Sequence, residues 1–340
     1  MTPKASTQAP LAVTLGDPLG VGPEIVVKAW SALRSSGPVF FVVGHCDTVA
    51  AAFRRGATAV ERIGAPQEAR GLFGKALPVF EPTGAHSFAA GSSEAARAAA
   101  IVDWIETAVR FARDGRASGV VTAPIAKAVL YEGGFAFPGH TEFLAELTQD
   151  LPVEGERGPV MMLAAKDLRV ALVTIHSPLA AVPAAITAER VVRTARVVHQ
   201  ALKRDFGIAE PRLALAGLNP HAGEGGAIGR EEIEVLAPAV DQLRAEGVRI
   251  TDPKPADTLF HEEARATYDA AVCLYHDQAL IPIKTIDFWG GVNLSLGLPI
   301  VRTSPDHGTG FDIAGKGVAR PDSLIAAIRM ADGIAARRAA

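Results

Sequence analysis

Only two cysteines, Cys46 and Cys273, occur in 340 residues, and they form no CxxC pair. That excludes a zinc knuckle and a dithiol redox motif. So few thiols in so long a chain point to a reducing cytoplasm. A basic excess is lacking too: 34 lysines and arginines stand against 37 aspartates and glutamates, a formal net charge of −3. Nucleic-acid and membrane-surface proteins normally carry such an excess, so neither partner is expected. Long apolar runs are also missing. Asp17 and Pro18 break the early one and Lys284 and Asp287 the late one, so neither could cross a bilayer. Met1 to Pro10 is a polar leader without the apolar core of a signal peptide. The expectation is a soluble, cytoplasmic protein. What is present, 49% hydrophobic and 21% charged residues, belongs to a folded chain. Its length exceeds what one core usually serves, so two domains, or one domain with a large insertion, are expected.

Short β-branched or apolar runs alternate with alanine-rich stretches of helical period, the pattern of an α/β protein on a largely parallel sheet. The runs predict strands over 11–15, 39–43, 77–80, 119–122, 160–163, 170–175, 213–216, 248–251 and 270–275. Lys166 and Asp167 read as the turn of a hairpin, which makes the sheet mixed. Ser93 to Arg113 predicts a helix stopped at Gly115, and Thr187 can cap another that runs to Gly207. A third starts near Arg230 and is expected to kink at Pro238. No repeat or low-complexity linker separates the domains. A discontinuous arrangement, in which the chain leaves one lobe, builds the second and returns, fits that absence. A cleft between such lobes is the default ligand site.

Four constellations could carry chemistry. The first, Gly16-Asp17-Pro18-Leu19-Gly20-Val21-Gly22-Pro23-Glu24-Ile25, is a turn-rich loop between a strand and a helix. Ile25 stands where a third glycine should, so the dinucleotide fingerprint GxGxxG is rejected. A tight turn and a binding loop both remain open. The second is a histidine set. His176, His221 and His276 each follow a strand-like run and begin a loop, with separations of 45 and 55 residues. Each gap holds a helix-length segment, so the three could share the carboxyl edge of one sheet, where open α/β sheets bind ligands. Three convergent imidazoles would make an open divalent-metal site. Taken singly, each reads more readily as a hydrogen-bonded loop residue than as a ligand; the shared edge makes the two readings of the set comparable. Asp277 and Asp257 could serve as further ligands or as supports behind them. His45, His86, His199 and His261 show no such pattern and read as surface or core residues.

The third constellation runs from Asn219 to Glu232, where four glycines lead into a helix and could expose amides to an anion. A flexible lid with no anion is the competing reading. The fourth, Asn293 to Gly317, packs Arg302, Asp306, His307, Gly308, Thr309 and Asp312 among glycines, with leucines to hold it against a core. The planar donor fork of Arg302 suits phosphate or carboxylate.

From Leu11 to the last helix the chain resembles the 4-hydroxythreonine-4-phosphate dehydrogenase family of vitamin B6 biosynthesis. The resemblance rests on Gly16-Asp17-Pro18 with Gly20-Val21-Gly22-Pro23-Glu24, on Gly139-His140-Thr141-Glu142 and on Leu218-Asn219-Pro220-His221-Ala222-Gly223-Glu224. Further along come Pro255-Ala256-Asp257-Thr258, Tyr275-His276-Asp277-Gln278, Gly291-Val292-Asn293 and Arg302-Thr303-Ser304-Pro305-Asp306-His307-Gly308-Thr309. The stretch from His307 to Gly317 is similar to the adenosine-binding segment of isocitrate and isopropylmalate dehydrogenases. Leu19 and Gly310 depart from the pattern, each replacing an expected alanine, and Ser177 stands where leucine is common.

The resemblance implies two α/β/α lobes with a shared, mostly parallel mixed sheet, isocitrate/isopropylmalate dehydrogenase-like, and an active-site cleft between them. The first lobe is expected over 10–138 and 303–340, and the second, with the metal ligands and a homodimer interface, over 139–302. It implies metal ligands at His176, His221 and His276, drawn from both subunits, and substrate contacts at His140, Thr141, Lys284, Asn293 and Arg302. Cofactor contacts are implied at Asp306, His307, Gly308, Thr309 and Asp312. NAD or NADP, with one zinc, magnesium or cobalt ion per site, are the implied cofactors. The implied reaction oxidises 4-phosphonooxy-L-threonine to 2-amino-3-oxo-4-phosphonooxybutanoate, which decarboxylates to 3-amino-2-oxopropyl phosphate. Lys284, or a water held by Asp257 or Asp277, would take the alcohol proton. Rival readings are a sister dehydrogenase acting on a phosphorylated four-carbon sugar acid or an aromatic dihydrodiol, a metal-dependent hydrolase, and a non-catalytic binder of phosphorylated ligands.

Overall fold

A computed structural model describes residues 8–53, 59–83, 92–137 and 139–340. Most of the polar leader (1–7) and His86 lie outside them. The chain divides into two compact units, Met1–Asp150 with Ile300–Ala340, and Leu151–Pro299. It thus leaves one unit, builds the other and returns.

The first unit holds β1 (Leu11–Thr14), β2 (Phe40–Val43), β3 (Val60–Arg62), β4 (Leu77–Phe80), β5 (Val120–Thr122) and, from the returning chain, β12 (Arg302–Pro305). Their order is β3-β4-β2-β1-β5-β12, every neighbouring pair parallel. β1, β2, β5 and β12 are buried along their whole length, as parallel strands covered on both faces must be. The helix Glu94–Arg113 starts where the Ser93 hydroxyl accepts the Ala96 amide. Its Phe111 is buried and meets Phe41 and Phe80 edge-on, at 5.8 and 4.9 Å between ring centres.

The second unit holds β6 (Val160–Ala165), β7 (Leu168–Leu172), β8 (Arg212–Leu215), β9 (Arg249–Ile250), β10 (Ala270–Cys273) and β11 (Val292–Leu296). Their order is β11-β6-β7-β10-β8-β9. The β11–β6 and β6–β7 pairs are antiparallel, and from β7 onward the pairs are parallel. Lys166, with φ of 51°, makes the expected hairpin turn between β6 and β7. The mixed, mostly parallel α/β class therefore holds. The Thr187 hydroxyl caps the helix Ala188–Arg204 as expected.

Three strands were not anticipated. β3 is largely solvent-facing, while β11 and β12 carry Asn293, Ser295, Arg302, Thr303 and Ser304, which read as a polar loop. The expected helix from Arg230 opens instead as a π-helical turn, Glu232–Leu236. It continues as the α-helix Ala237–Ala245, with Pro238 in the first turn, where a proline is tolerated.

The unit limits also differ from 138/139 and 302/303. Residues 139–150 go with the first unit because Phe143 packs on Phe135 and Phe137, and Arg113 reaches Leu147 and Asp150. Arg302 joins the same unit by pairing with Val120. Both cysteines are buried free thiols, and no helix among the described residues is long and apolar enough to cross a membrane.

Removing the Phe111 ring leaves a cavity between β2, β4 and the helix that covers them. Phe111→Ala is expected to cost about 3–5 kcal/mol in urea unfolding, against about 1 kcal/mol for removing the Thr187 cap. Equal losses from both would show that the ring cluster is not central to the first unit.

Candidate active site

In the second unit β7, β10 and β8 are adjacent and parallel, so their carboxyl ends open on one edge. His176, His276 and His221 follow those three strands in turn. The rungs continue past the strands: Val173 and Thr174 donate to the Cys273 and Leu274 carbonyls, and the Thr174 hydroxyl adds a 2.6 Å bond to the latter. This brings the His176 and His276 rings to 5.8 Å between centres, tilted by 39°. Two imidazoles on one ion at about 2.1 Å would have centres roughly 5 Å apart, so this pair fits a shared cation with little movement. Among the described residues no group of three or more His, Cys, Asp or Glu is placed to hold a metal. His221 is exposed on a loop of its own.

Asp277 Oδ1 lies 2.7 Å from His276 Nδ1. With the proton on Nδ1, the ring donates to that carboxylate and Nε2 keeps its lone pair, the arrangement behind most ligating histidines. Asp257 and Asp277 line the same cavity of about 430 Å³, with Tyr275, His261 and Gln278. Lys284 is half-buried on the helix His276–Ile286, its Nζ 5.3 Å from the centre of the Phe288 ring. Asn293 lies on β11, and its Oδ1 is enclosed with no hydrogen-bond partner among the described residues. A buried acceptor left in that state is costly, so it awaits a donor.

Sequence reasoning missed Gln278. Buried, it accepts the Leu274 amide at 2.7 Å and donates to the Gly217 carbonyl at 2.7 Å, tying the start of the His276 loop to the start of the His221 loop. Nothing in a lone glutamine among apolar neighbours signals this. Two amides at the start of the Asn219 loop are not open to an outside anion. The Leu218 and Asn219 amides are both taken by the Glu232 carboxylate at 2.8 Å.

In the first unit Arg302 is buried on β12, and Nη2 donates to the Thr122 hydroxyl at 2.7 Å and lies 3.4 Å from His140 Nδ1. Burial pulls its pKa down to about 10, partly opposed by Glu142. A guanidinium can only donate, so it holds the His140 proton on Nε2, which is enclosed with no partner among the described residues. Burial, then the Arg302 and Lys127 charges, hold His140 well below the usual histidine range. Thr141 follows in the helix His140–Glu146. Thr122 is a further residue the sequence did not mark; it sits in an ordinary β-branched run.

The Asp17–Glu24 loop grips the Asp306–Ala319 stretch. Val21 donates to the Thr309 carbonyl at 2.8 Å. The Glu24 carboxylate accepts the Gly317 and Ala319 amides at 3.1 and 2.9 Å, and Lys28 donates to the carbonyls of both residues. Both segments line a cavity of about 1060 Å³ with Lys28, Lys316, His45 and Thr48 around it. Of the expected cofactor residues, Asp306 donates its amide to the Ser323 hydroxyl, His307 Nδ1 lies 3.0 Å from the Gly308 carbonyl, and Asp312 is exposed. None of the five lines that cavity; Ala314–Gly317 do. Gly310 has φ of +52°, which suits glycine better than the alanine it replaces.

The model of the family "Pyridoxal phosphate biosynthetic protein PdxA" matches residues 38–331. The 4-hydroxythreonine-4-phosphate dehydrogenase of Caulobacter vibrioides is 61% identical over 332 residues, 98% of this chain and 99% of that one. Among solved structures, the 4-hydroxythreonine-4-phosphate dehydrogenase of Klebsiella pneumoniae aligns with a TM-score of 0.84 at 36% identity, over 98% and 99% of the two chains. A terephthalate 1,2-cis-dihydrodiol dehydrogenase from Burkholderia xenovorans aligns at 0.63 and 30%, over 96% and 98%.

The burial of His140 sets a pH dependence. Unfolded, the ring titrates near pH 6.5; folded, its pKa is lower, so between the two values the unfolded chain binds more protons. This part of the stability is complete above about 6.5 and is lost as pH falls toward the folded value. Urea midpoints measured downward from neutral pH should therefore fall more steeply for the native protein than for His140→Gln. Identical slopes would remove His140 from the enclosed, neutral state.

Proposed function

The chain belongs to the family of pyridoxal phosphate biosynthetic protein PdxA, and from that premise we propose that it oxidises 4-phosphonooxy-L-threonine at its secondary alcohol, with NAD or NADP as acceptor and one divalent cation. The product, 2-amino-3-oxo-4-phosphonooxybutanoate, then decarboxylates to 3-amino-2-oxopropyl phosphate, a step of pyridoxine 5'-phosphate biosynthesis. The observation that carries this reading is the placing of His176, His276 and His221 after three adjacent parallel strands, two of the rings already within reach of one ion.

When bound, the cation would make the alcohol oxygen more acidic and the nicotinamide would take up the hydride. The chain's own residues do the rest. His176, His221 and His276 hold the cation, with Asp277 fixing the His276 tautomer. Lys284, or a water held by Asp257 or Asp277, receives the alcohol proton. In the first unit Arg302, His140 and Thr141 take the anionic end of the substrate: the guanidinium supplies charge and His140 a neutral Nε2–H donor. In the second, Asn293 Oδ1 accepts a substrate N–H or O–H. The adenosine half of the nucleotide occupies the cavity between the Asp17–Glu24 loop and Ala314–Gly317, with the Asp306–Asp312 stretch alongside. Zinc and cobalt suit three imidazoles, whereas magnesium would rely more on oxygen donors from substrate, water or the nearby carboxylates. The active form is a homodimer; Leu179, Ile281, Phe288 and Trp289 of the second unit are all about half or more exposed, an apolar group that a second copy would cover.

Purified protein incubated with 4-phosphonooxy-L-threonine, NAD or NADP and each ion is expected to form reduced nicotinamide, and an EDTA-treated control is not. His221→Ala should lose on the order of 100-fold or more in turnover, and Arg302→Lys should raise KM at least roughly tenfold with a smaller change in kcat. Preference for an aromatic cis-dihydrodiol, the substrate class of the Burkholderia xenovorans enzyme, would replace the substrate. Phosphate release without nicotinamide would replace the reaction.

A further inference from the structure

The loop bearing His221 adopts a conformation that L-residues avoid. His221, Ala222, Gly223, Glu224 and Gly225 have φ of 52°, 51°, 81°, 46° and 64° with ψ between 0° and 49°. Gly226 follows at φ of 98°. This is a short turn of left-handed helix containing three residues that carry a Cβ. Single residues visit that region, but runs of them do not unless the surroundings impose it. At its two ends Ala222 donates to the Asn219 carbonyl at 3.1 Å, and Ala227 and Ile228 donate back to Glu224 and Gly223 at 3.3 and 3.2 Å.

The constraint comes from outside the turn. Glu232 is buried, and Oε1 accepts the Leu218 and Asn219 amides, both at 2.8 Å, immediately before the left-handed run. Its Oε2 accepts Asn219 Nδ2 at 2.9 Å, and the same Nδ2 reaches Glu231 at 2.8 Å. The turn wraps around this carboxylate: a Cβ on Gly223 would stand 2.7 Å from Oε2, so at φ of +81° only glycine fits. Glu232 is also the first residue of the π-helical turn, a local underwinding of a kind frequent at functional sites. Two irregular backbone segments thus meet at one carboxylate, and His221 lies on the arm it holds.

We propose that Glu232 is the positioning residue for His221, its carboxylate fixing the two amides that force the chain into the left-handed turn and so direct the imidazole toward the cation. This rests on the metal reading given above.

The test compares native protein, Glu232→Gln, Glu232→Asp and His221→Ala in two measurements on the full chain: cobalt binding followed by absorbance with the metal alone, and amide exchange over 218–228. For Glu232→Gln the amide group turns an N–H toward donors, so exchange over 218–228 should speed at least roughly tenfold while the rest of the chain is unchanged. Cobalt affinity should fall about 10–100-fold, as for other residues that orient a ligating histidine. Glu232→Asp, which keeps the charge at shorter reach, should fall between and guards against a variant that fails to fold. Unchanged exchange in Glu232→Gln overturns the proposal. Faster exchange with undiminished cobalt binding, where His221→Ala does weaken it, overturns the positioning role and leaves the metal reading standing. Undiminished binding in His221→Ala overturns the metal reading, and the proposal with it.

Discussion

Parallel hydrogen-bond register is the constraint on which the layout of the second unit depends. An antiparallel neighbour would send its loop to the opposite edge. Because β7, β10 and β8 run the same way, the segments that follow them emerge together, though 45 and 55 residues separate their histidines. The rungs added by Val173 and Thr174 extend the sheet by one step on that side and carry His176 toward His276. Gln278 then makes the same edge rigid across β10 and β8. His176 and His276 need no local motif to meet, because the sheet supplies their proximity.

A second theme is the chain's use of its own carboxylates where a glycine-rich loop suggests an anion from outside. Glu24 takes the Gly317 and Ala319 amides, Glu232 those of Leu218 and Asn219, and Asp17 that of Leu19. Backbone amides at a turn are donors that burial would leave unmet, and a carboxylate with two oxygens can satisfy a pair of them at once. Each such contact replaces a mobile loop by a fixed one and spends a negative charge on structure. Positive charge is placed differently: Lys28 answers Glu24 and two carbonyls, while Arg302 is held by a neutral hydroxyl and imidazole, with the Glu142 charge acting on it.

The layout of the fold was legible in the sequence where local chemistry and burial agree. The helix expected from Ser93 begins there, Thr187 caps the helix it was expected to cap, and Lys166 turns the hairpin. β11 and β12 were not legible, because Asn293, Ser295 and Arg302 occupy strand positions that composition alone assigns to a loop. The left-handed turn was invisible for a related cause: nothing in Ala222 or Glu224 favours positive φ, and the force that holds them there comes from Glu232, eight or more residues further along. Local preference yields to a tertiary contact at these positions.

The contact between Arg302 and His140 shows how such a departure acquires a direction. Two basic groups 3.4 Å apart in a buried place would repel if both were charged. The guanidinium keeps its proton at any physiological pH, even with its pKa drawn down to about 10, so the imidazole is the one that stays neutral. Its Nδ1 then becomes an acceptor, and Nε2 carries the only ring proton. The pair therefore presents one full positive charge and one neutral donor. An anion arriving there gains the charge without having to supply a proton, and its binding should not follow the titration of a histidine. Thr122 belongs to this arrangement as much as the two basic residues do, since its hydroxyl holds the shared Nη2 between the sheet and the ring.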